Sequence, residues 1–202
     1  MTWEIQFDER GLVPVVVQDE ATGEVLMLAW ANAKALEMTR ETGEMHFFSR
    51  SRGEIWRKGE TSGATMAVKQ LRYDCDGDAV LAIVVPAGAA CHTGERTCFY
   101  REFGGEPARV VHEALPALER TLRSRAAGRP AGSYTVELLE NPTLIGEKVE
   151  EEAEEVVRAA REETDVRVAE EAADVIYHLA VLLASRGVPQ SAVMEELNAR
   201  SR

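Results

Sequence analysis

The sequence predicts an α+β protein of two domains, a β-rich one followed by an all-α helical bundle. Short runs rich in β-branched and aromatic residues, broken by Gly, Asn and Asp, occupy the first part of the chain. Past residue 110, Ala, Glu, Leu and Arg recur with helical periodicity instead. Between the two textures, Gly104-Gly105-Glu106-Pro107 breaks regular structure and reads as a hinge. The expected domains are residues 1–106 and 107–202, and 202 residues suffice for both.

Strands are expected at Val13–Val17, Met45–Phe48, Thr65–Val68 and Ala79–Val85. Good helix formers over Trp30–Arg40, ending at Thr42-Gly43, predict one interrupting helix. In the second half a first helix stops at the Ala126–Gly132 break, ahead of Ser133-Tyr134-Thr135. At about 100° per residue, Ile145, Val149, Ala153, Val156 and Ala160 then form an apolar stripe. Glu152 falls on its margin and Glu155 beyond it on the same side. In the next helix Val168, Ala172, Val175, Leu179 and Leu182 make the stripe, with Glu171 inside it and Asp174 and His178 flanking it. About five helices are expected in this half, and carboxylates facing a core require a counter-charge or a cation.

Acidic side chains number 35 against 23 basic ones, a net charge of -12, and they are in excess in both halves. Broad phosphate-backbone contact needs basic surface, so nucleic acid is excluded as a partner, whereas small anionic substrates remain possible. No apolar run reaches the roughly 20 residues that span a bilayer, and Met1-Thr2-Trp3-Glu4 lacks a basic region ahead of an apolar core. No membrane association and a cytoplasmic location are expected. Cys75, Cys91 and Cys98 cannot all pair within one chain, so in a reducing compartment they read as metal ligands, nucleophiles or core residues.

Asp74-Cys75-Asp76-Gly77-Asp78 sets three carboxylates at alternate positions around a thiol. In an extended segment the aspartates would share one face, suited to Mg2+, and Cys75 the other. A polar turn with one core cysteine is the alternative. Cys91-His92 and Cys98 lie in a glycine-bearing loop whose spacing is not that of a zinc finger. Three cysteines leave the fourth zinc position open to water, whose pKa zinc lowers to about 7; three inert core thiols are the competing account. Ser49–Gly63 concentrates four basic residues within nine positions. Its Arg50, Ser51, Arg52, Lys58, Thr61 and Ser62 supply the donors that phosphate oxygens need, and Trp56 either stacks on a base or packs in the core. A solvated basic loop would look similar.

Together these runs resemble the phosphoribosyl-AMP cyclohydrolases of histidine biosynthesis over nearly all of residues 10–105. The likeness rests on Gly11-Leu12-Val13-Pro14, Ser49-Arg50-Ser51-Arg52, Trp56, Lys58-Gly59-Glu60-Thr61-Ser62-Gly63, Asp74–Asp78 and Ala90-Cys91-His92-Thr93-Gly94, in order and spacing. Ala89 stands where that family commonly has proline, and Ile55 where leucine is usual. The resemblance implies zinc on Cys75, Cys91 and Cys98, with Cys75 crossing a homodimer interface, and Mg2+ on Asp74, Asp76 and Asp78. It also implies hydrolytic opening of the adenine ring of phosphoribosyl-AMP at N1–C6. Chemically, His92 is placed to move protons there; a structural histidine beside a metal loop is the alternative.

In the helical half, two antiparallel helices would bring Glu152, Glu155, Glu171 and Asp174 together as oxygen ligands for Mg2+. A solvated acidic face is the alternative. Glu151-Glu152-x-x-Glu155 followed by Glu171-x-x-Asp174 resembles the all-helical nucleotide pyrophosphohydrolases. Ser133-Tyr134-Thr135, Gly146-Glu147-Lys148 and Ala172–His178 narrow the likeness to the phosphoribosyl-ATP pyrophosphatases over most of residues 115–200. That implies Mg2+-assisted hydrolysis of phosphoribosyl-ATP to phosphoribosyl-AMP and pyrophosphate, with Lys148 on a phosphate. The competing class is a non-catalytic dimeric scaffold with a structural zinc and an acidic, partner-binding bundle.

Overall fold

The computed structural model describes residues 4–102, 104 and 111–200. The chain divides into two compact units, Met1–Ala108 and Arg109–Arg202. The expected hinge lies, apart from Gly104, outside the described residues.

Strand β1 (Leu12–Asp19) buries Val13, Val15 and Val17, alternate residues on one pleated face. It pairs antiparallel with β2 (Val25–Asn32) on one side and parallel with β6 (Val80–Pro86) on the other, and β5 (Met66–Tyr73) closes the order β2-β1-β6-β5. Between β2 and β5 run helix α1 (Ala33–Thr42) and the hairpin of β3 (His46–Ser49) and β4 (Glu54–Arg57). Leu36 of α1, Met45, Phe47 and Met66 pack on the sheet with Val80, Ala82 and Val84.

The four expected strands are present, with β5 reaching Tyr73. The helix, however, begins at Ala33, and Trp30 belongs to β2. Helix-forming Leu, Met and Ala fill β2, but pairing with β1 and burial of Leu26, Met27 and Ala31 outweigh local propensity. Asn32 then starts α1 by accepting the Ala35 N–H at 2.8 Å, and Gly43 ends it in the left-handed conformation.

The second unit opens with a short 3₁₀ turn, Val111–Glu113, leading into α2 (Ala114–Gly128), α3 (Tyr134–Glu140), α4 (Pro142–Glu162), α5 (Asp165–Ser185) and α6 (Gln190–Arg200). Asn141 and Thr164 cap α4 and α5, accepting the Leu144 and Arg167 N–H groups at 3.2 and 3.3 Å. Leu122, Leu138, Ile145, Ala180 and Val181 form the core. The buried rows differ in part from the expected stripes. Ala153, Ala160 and Leu179 are exposed, and Ile145, Val149, Glu152, Val156 and Ala159 turn inward on α4. On α5 the inward row runs through Glu171, Val175, His178 and Val181. Glu152 therefore sits within its row, and His178 is core-facing instead of flanking.

Candidate functional site

In the first unit the Ser49–Gly63 stretch is divided by the fold. Arg50, Ser51 and Arg52 occupy the exposed β3–β4 turn, closed by Gly53 N–H donating to Ser49 O at 2.8 Å. Trp56 follows on β4, its ring 5.1 Å from that of Phe47, and Lys58 is buried with Nζ 3.4 Å from Ala64 O. The loop beyond it turns at Gly59, whose φ is +82°. An added Cβ there would sit 2.3 Å from the Ala64 carbonyl carbon, so the turn excludes any side chain.

This loop forms one wall of an open cleft of about 810 Å3, lined by Arg52, Trp56, Lys58, Thr61 and Ser62. Cys91, His92 and Cys98 line it as well. Arg50 and Ser51 do not; the Arg50 guanidinium lies over the Trp30 ring, 4.8 Å from its centroid. Trp56 thus packs against the core and lines the cleft at once.

None of the three thiols is a core residue: Cys91 is half-buried, and Cys75 and Cys98 are exposed. Thr93 Oγ1 donates to Cys91 Sγ at 3.1 Å and pulls the Cys91 thiol below its ordinary range. Partial desolvation at the cleft wall, followed by the adjacent Cys91, pushes the Cys98 thiol up. His92 is exposed, with Nδ1 3.9 Å from Cys91 Sγ. A thiol pair beside an imidazole is a soft donor set suited to zinc. Cys75, outside the residues that line the cleft, lies on the β5–β6 turn.

That turn replaces the expected extended segment. Asp74 Oδ1 accepts the Ala79 N–H at 3.1 Å, Gly77 takes φ +76°, and the carboxylates of Asp74, Asp76 and Asp78 converge within 4.8 Å by chain reversal, not by strand alternation. Nor is Cys75 segregated from the oxygens, since its Sγ is 4.0 Å from Asp76 Oδ1. Repulsion from Asp76 and Asp74 raises the Asp78 carboxyl above its ordinary value, while the Ala79 N–H lowers that of Asp74. Three exposed carboxylates at this separation form a hard-oxygen set of the kind Mg2+ takes.

In the second unit, α4 and α5 bring Glu152, Glu155 and Glu171 within 4.8 Å of one another. Asp174 is exposed and does not join them. Glu171 is nearly buried and paired with Arg167; Glu155 accepts from Arg158 at 3.2 Å. Beside Glu152, His178 is held on both nitrogens: Nδ1–H donates to Asp174 O at 2.9 Å, and Nε2 accepts from the Tyr134 hydroxyl at 3.4 Å. Its Nδ1 is 3.7 Å from Glu152 Oε1. Burial raises the Tyr134 phenol, which stays protonated as that donor. Lys148 donates to Glu151 Oε2 at 2.6 Å, an interaction that raises its ammonium pKa. The carboxylate convergence suits a hard divalent cation and a polyphosphate.

Sequence reasoning missed the links that hold these groups: Arg96 with Asp19 and Glu24 in the first unit, Tyr134 with His178 in the second. A cation between two thiols, far in sequence from two acids bracketing a turn, was the only available signal for the former.

Among the described residues no helix is long and apolar enough to cross a membrane. A family model for phosphoribosyl-AMP cyclohydrolase matches residues 27–100, and one for phosphoribosyl-ATP pyrophosphohydrolase matches residues 115–201. The histidine biosynthesis bifunctional protein HisIE of Bacillus subtilis is 47% identical over 198 residues, 98% of this chain and 95% of the relative. Its counterpart in Thermus thermophilus is 46% identical over 199 residues, 98% of this chain and 92% of the relative. That of Thermotoga maritima is 48% identical over 199 residues, 95% of this chain and 98% of the relative. A non-catalytic scaffold accounts for none of this. With both family models matched in tandem and full-length relatives covered almost end to end, the chain belongs to the bifunctional phosphoribosyl-AMP cyclohydrolase and phosphoribosyl-ATP pyrophosphohydrolase family of histidine biosynthesis.

Proposed function

We propose that the two activities of the family divide between the two units. Pyrophosphate release belongs to the α4–α5 carboxylates and ring opening to the cleft of the first unit. The chain is a bifunctional hydrolase of histidine biosynthesis: it converts phosphoribosyl-ATP to phosphoribosyl-AMP and pyrophosphate, then opens the adenine ring of phosphoribosyl-AMP. The observation that carries the division is the contrast in donors, thiols and imidazole in one site against three converging carboxylates in the other.

In the cleft, Arg52, Lys58, Thr61 and Ser62 bind the phosphoribosyl groups, and the exposed face of Trp56 receives the base. Arg50 and Ser51, on the hairpin turn outside the lining, contact only substrate groups that extend past the rim. Cys91 and Cys98 would hold zinc, with Cys75 of a second copy as the third thiolate. A bound zinc lowers the pKa of a water to about 7 at neutral pH. Oxygen from water bonds to C6, the C6–N1 bond breaks, and His92 delivers the proton that N1 gains as C6 becomes a carboxamide. Asp74, Asp76 and Asp78 would hold Mg2+, whose charge would offset their mutual repulsion.

In the bundle, Glu152, Glu155 and Glu171 would hold Mg2+, with Asp174 on the same face of α5 as a further oxygen donor outside the converged set. Tyr134 and the Asp174 carbonyl fix the orientation of His178, which packs beside Glu152. Lys148 exchanges Glu151 for a phosphate oxygen. A bound Mg2+ neutralises the phosphates and favours attack by water.

The test supplies each substrate separately. Glu152→Gln abolishes pyrophosphate release from phosphoribosyl-ATP and leaves opening of supplied phosphoribosyl-AMP intact. Cys91→Ala does the reverse and loses zinc from an expected content of about one ion per chain. Equal loss of both activities in either folded variant would exclude the division.

A further inference from the structure

We infer that Arg96 is a positioning residue for ring opening, a clamp that sets the loop carrying Cys91 and Cys98 against the β1–β2 turn. Asp19 and Glu24 stand at the two ends of that turn with side chains only 6% and 10% exposed. Arg96 Nη2 donates to Asp19 Oδ2 at 2.6 Å and Nε donates to Glu24 Oε2 at 2.5 Å.

The turn is organised to receive the guanidinium. Asp19 Oδ1 accepts the Ala21 and Thr22 N–H groups at 2.8 and 3.3 Å, and the Thr22 hydroxyl donates to Glu24 Oε2 at 3.0 Å. Oδ2 of Asp19 is left to meet Arg96. A planar guanidinium donates to two separated carboxylates in fixed directions, whereas an ammonium offers only a point charge.

The clamp reaches the thiols through the backbone. Ala90 N–H donates to Arg96 O and Cys91 N–H to Glu95 O, each at 3.0 Å, so the position of Arg96 sets that of Cys91. On its other side Thr97 Oγ1 donates to Val25 O at 2.7 Å, and Cys98 N–H donates to Leu26 O at 2.8 Å. Both thiols are therefore referenced to β2, whose Met27 lines the same cleft.

The inference rests on the reading that ring opening takes place in this cleft, and the experiment separates the two. Arg96→Lys and Arg96→Gln are made in the full chain. Both are expected to lower kcat for supplied phosphoribosyl-AMP by at least about tenfold with KM changed by less than about twofold, because misplacement of reacting groups acts on the transition state. Pyrophosphate release stays at the wild-type rate and reports that the second unit is folded, as retained protection of the β1 and β6 amides does for the first. In metal-free protein, hydrogen exchange at the Cys91 and Cys98 amides accelerates by about tenfold or more, while β1 and β6 amides keep their protection. In cobalt-loaded protein the thiolate absorption band shifts. Wild-type exchange at both amides, or a kcat equal to wild type, overturns the clamp. Acceleration spread evenly over the first unit also overturns it, since it marks a merely structural role. Full ring opening by Cys91→Ala would sink the cleft assignment, while the amide exchange in the Arg96 variants still decides the clamp.

Discussion

On the cleft wall, Cys91 and Cys98 ionise in opposite senses, Cys91 eased by the Thr93 hydroxyl and Cys98 opposed by partial desolvation and by Cys91 itself. Because the thiolate is the nucleophile, iodoacetamide should modify Cys91 of metal-free protein with a midpoint at lower pH than Cys98. Thr93→Val should move the Cys91 midpoint upward. Coincident midpoints, read by peptide mass spectrometry across a pH series, would show that Thr93 does not set the difference. Motif residues such as Lys58, Thr61 and Cys91 were legible in the sequence because their chemistry and spacing recur within short runs. Arg96 was not, because its partners Asp19 and Glu24 are brought to it by tertiary packing alone. Arg50 shows the converse: it was grouped with Arg52 by sequence proximity, but the hairpin turns it onto Trp30.

At the scale of elements, α4 and α5 carry the three carboxylates, so their caps matter to the site they frame. Thr164→Ala removes the oxygen that accepts the Arg167 N–H and should cost about 1 kcal/mol in stability. A lower midpoint for loss of helical signal, with phosphoribosyl-AMP turnover unchanged at 25 °C, is the expected outcome; an unchanged midpoint counts against the cap. Helices with clear periodicity were legible and most of each stripe faces inward, but Ala153, Ala160 and Leu179 are exposed where Ala159 and His178 are buried. A stripe drawn through Ala153 and Leu179 ignores that polar Glu152 and His178 can face inward beside each other, with the Tyr134 hydroxyl and the Asp174 carbonyl as hydrogen-bond partners of the imidazole. The same limit hid β2. Its Leu-Met-Leu-Ala-Trp run favours a helix locally, and only the neighbouring β1 makes it a strand.

For the whole molecule, the exposed Cys75 and the exposed Val157, Ile176 and Leu179 of α4 and α5 favour a homodimer in which each unit pairs with its copy. Cys75→Ala and Cys91→Ala chains, each inactive in ring opening, should regain part of that activity when refolded together with zinc. One composite site then has all three thiols. Mixed dimers no more active than their parents would refute a thiol shared between chains. The parallel pairing of β1 with β6, where Val15 faces Val80, has a kinetic consequence as well. A long segment containing α1, the β3–β4 hairpin and β5 must be closed before that pair forms, whereas α4 and α5 are joined directly through Glu163 and Thr164. Contacts distant along the chain slow folding, so the bundle should gain structure well before the sheet. All three tryptophans, at positions 3, 30 and 56, precede the bundle in the sequence. Stopped-flow refolding should therefore show helical circular dichroism recovering ahead of tryptophan fluorescence. During synthesis the order reverses, because the slow unit emerges first and has the translation time of the bundle in which to close its sheet.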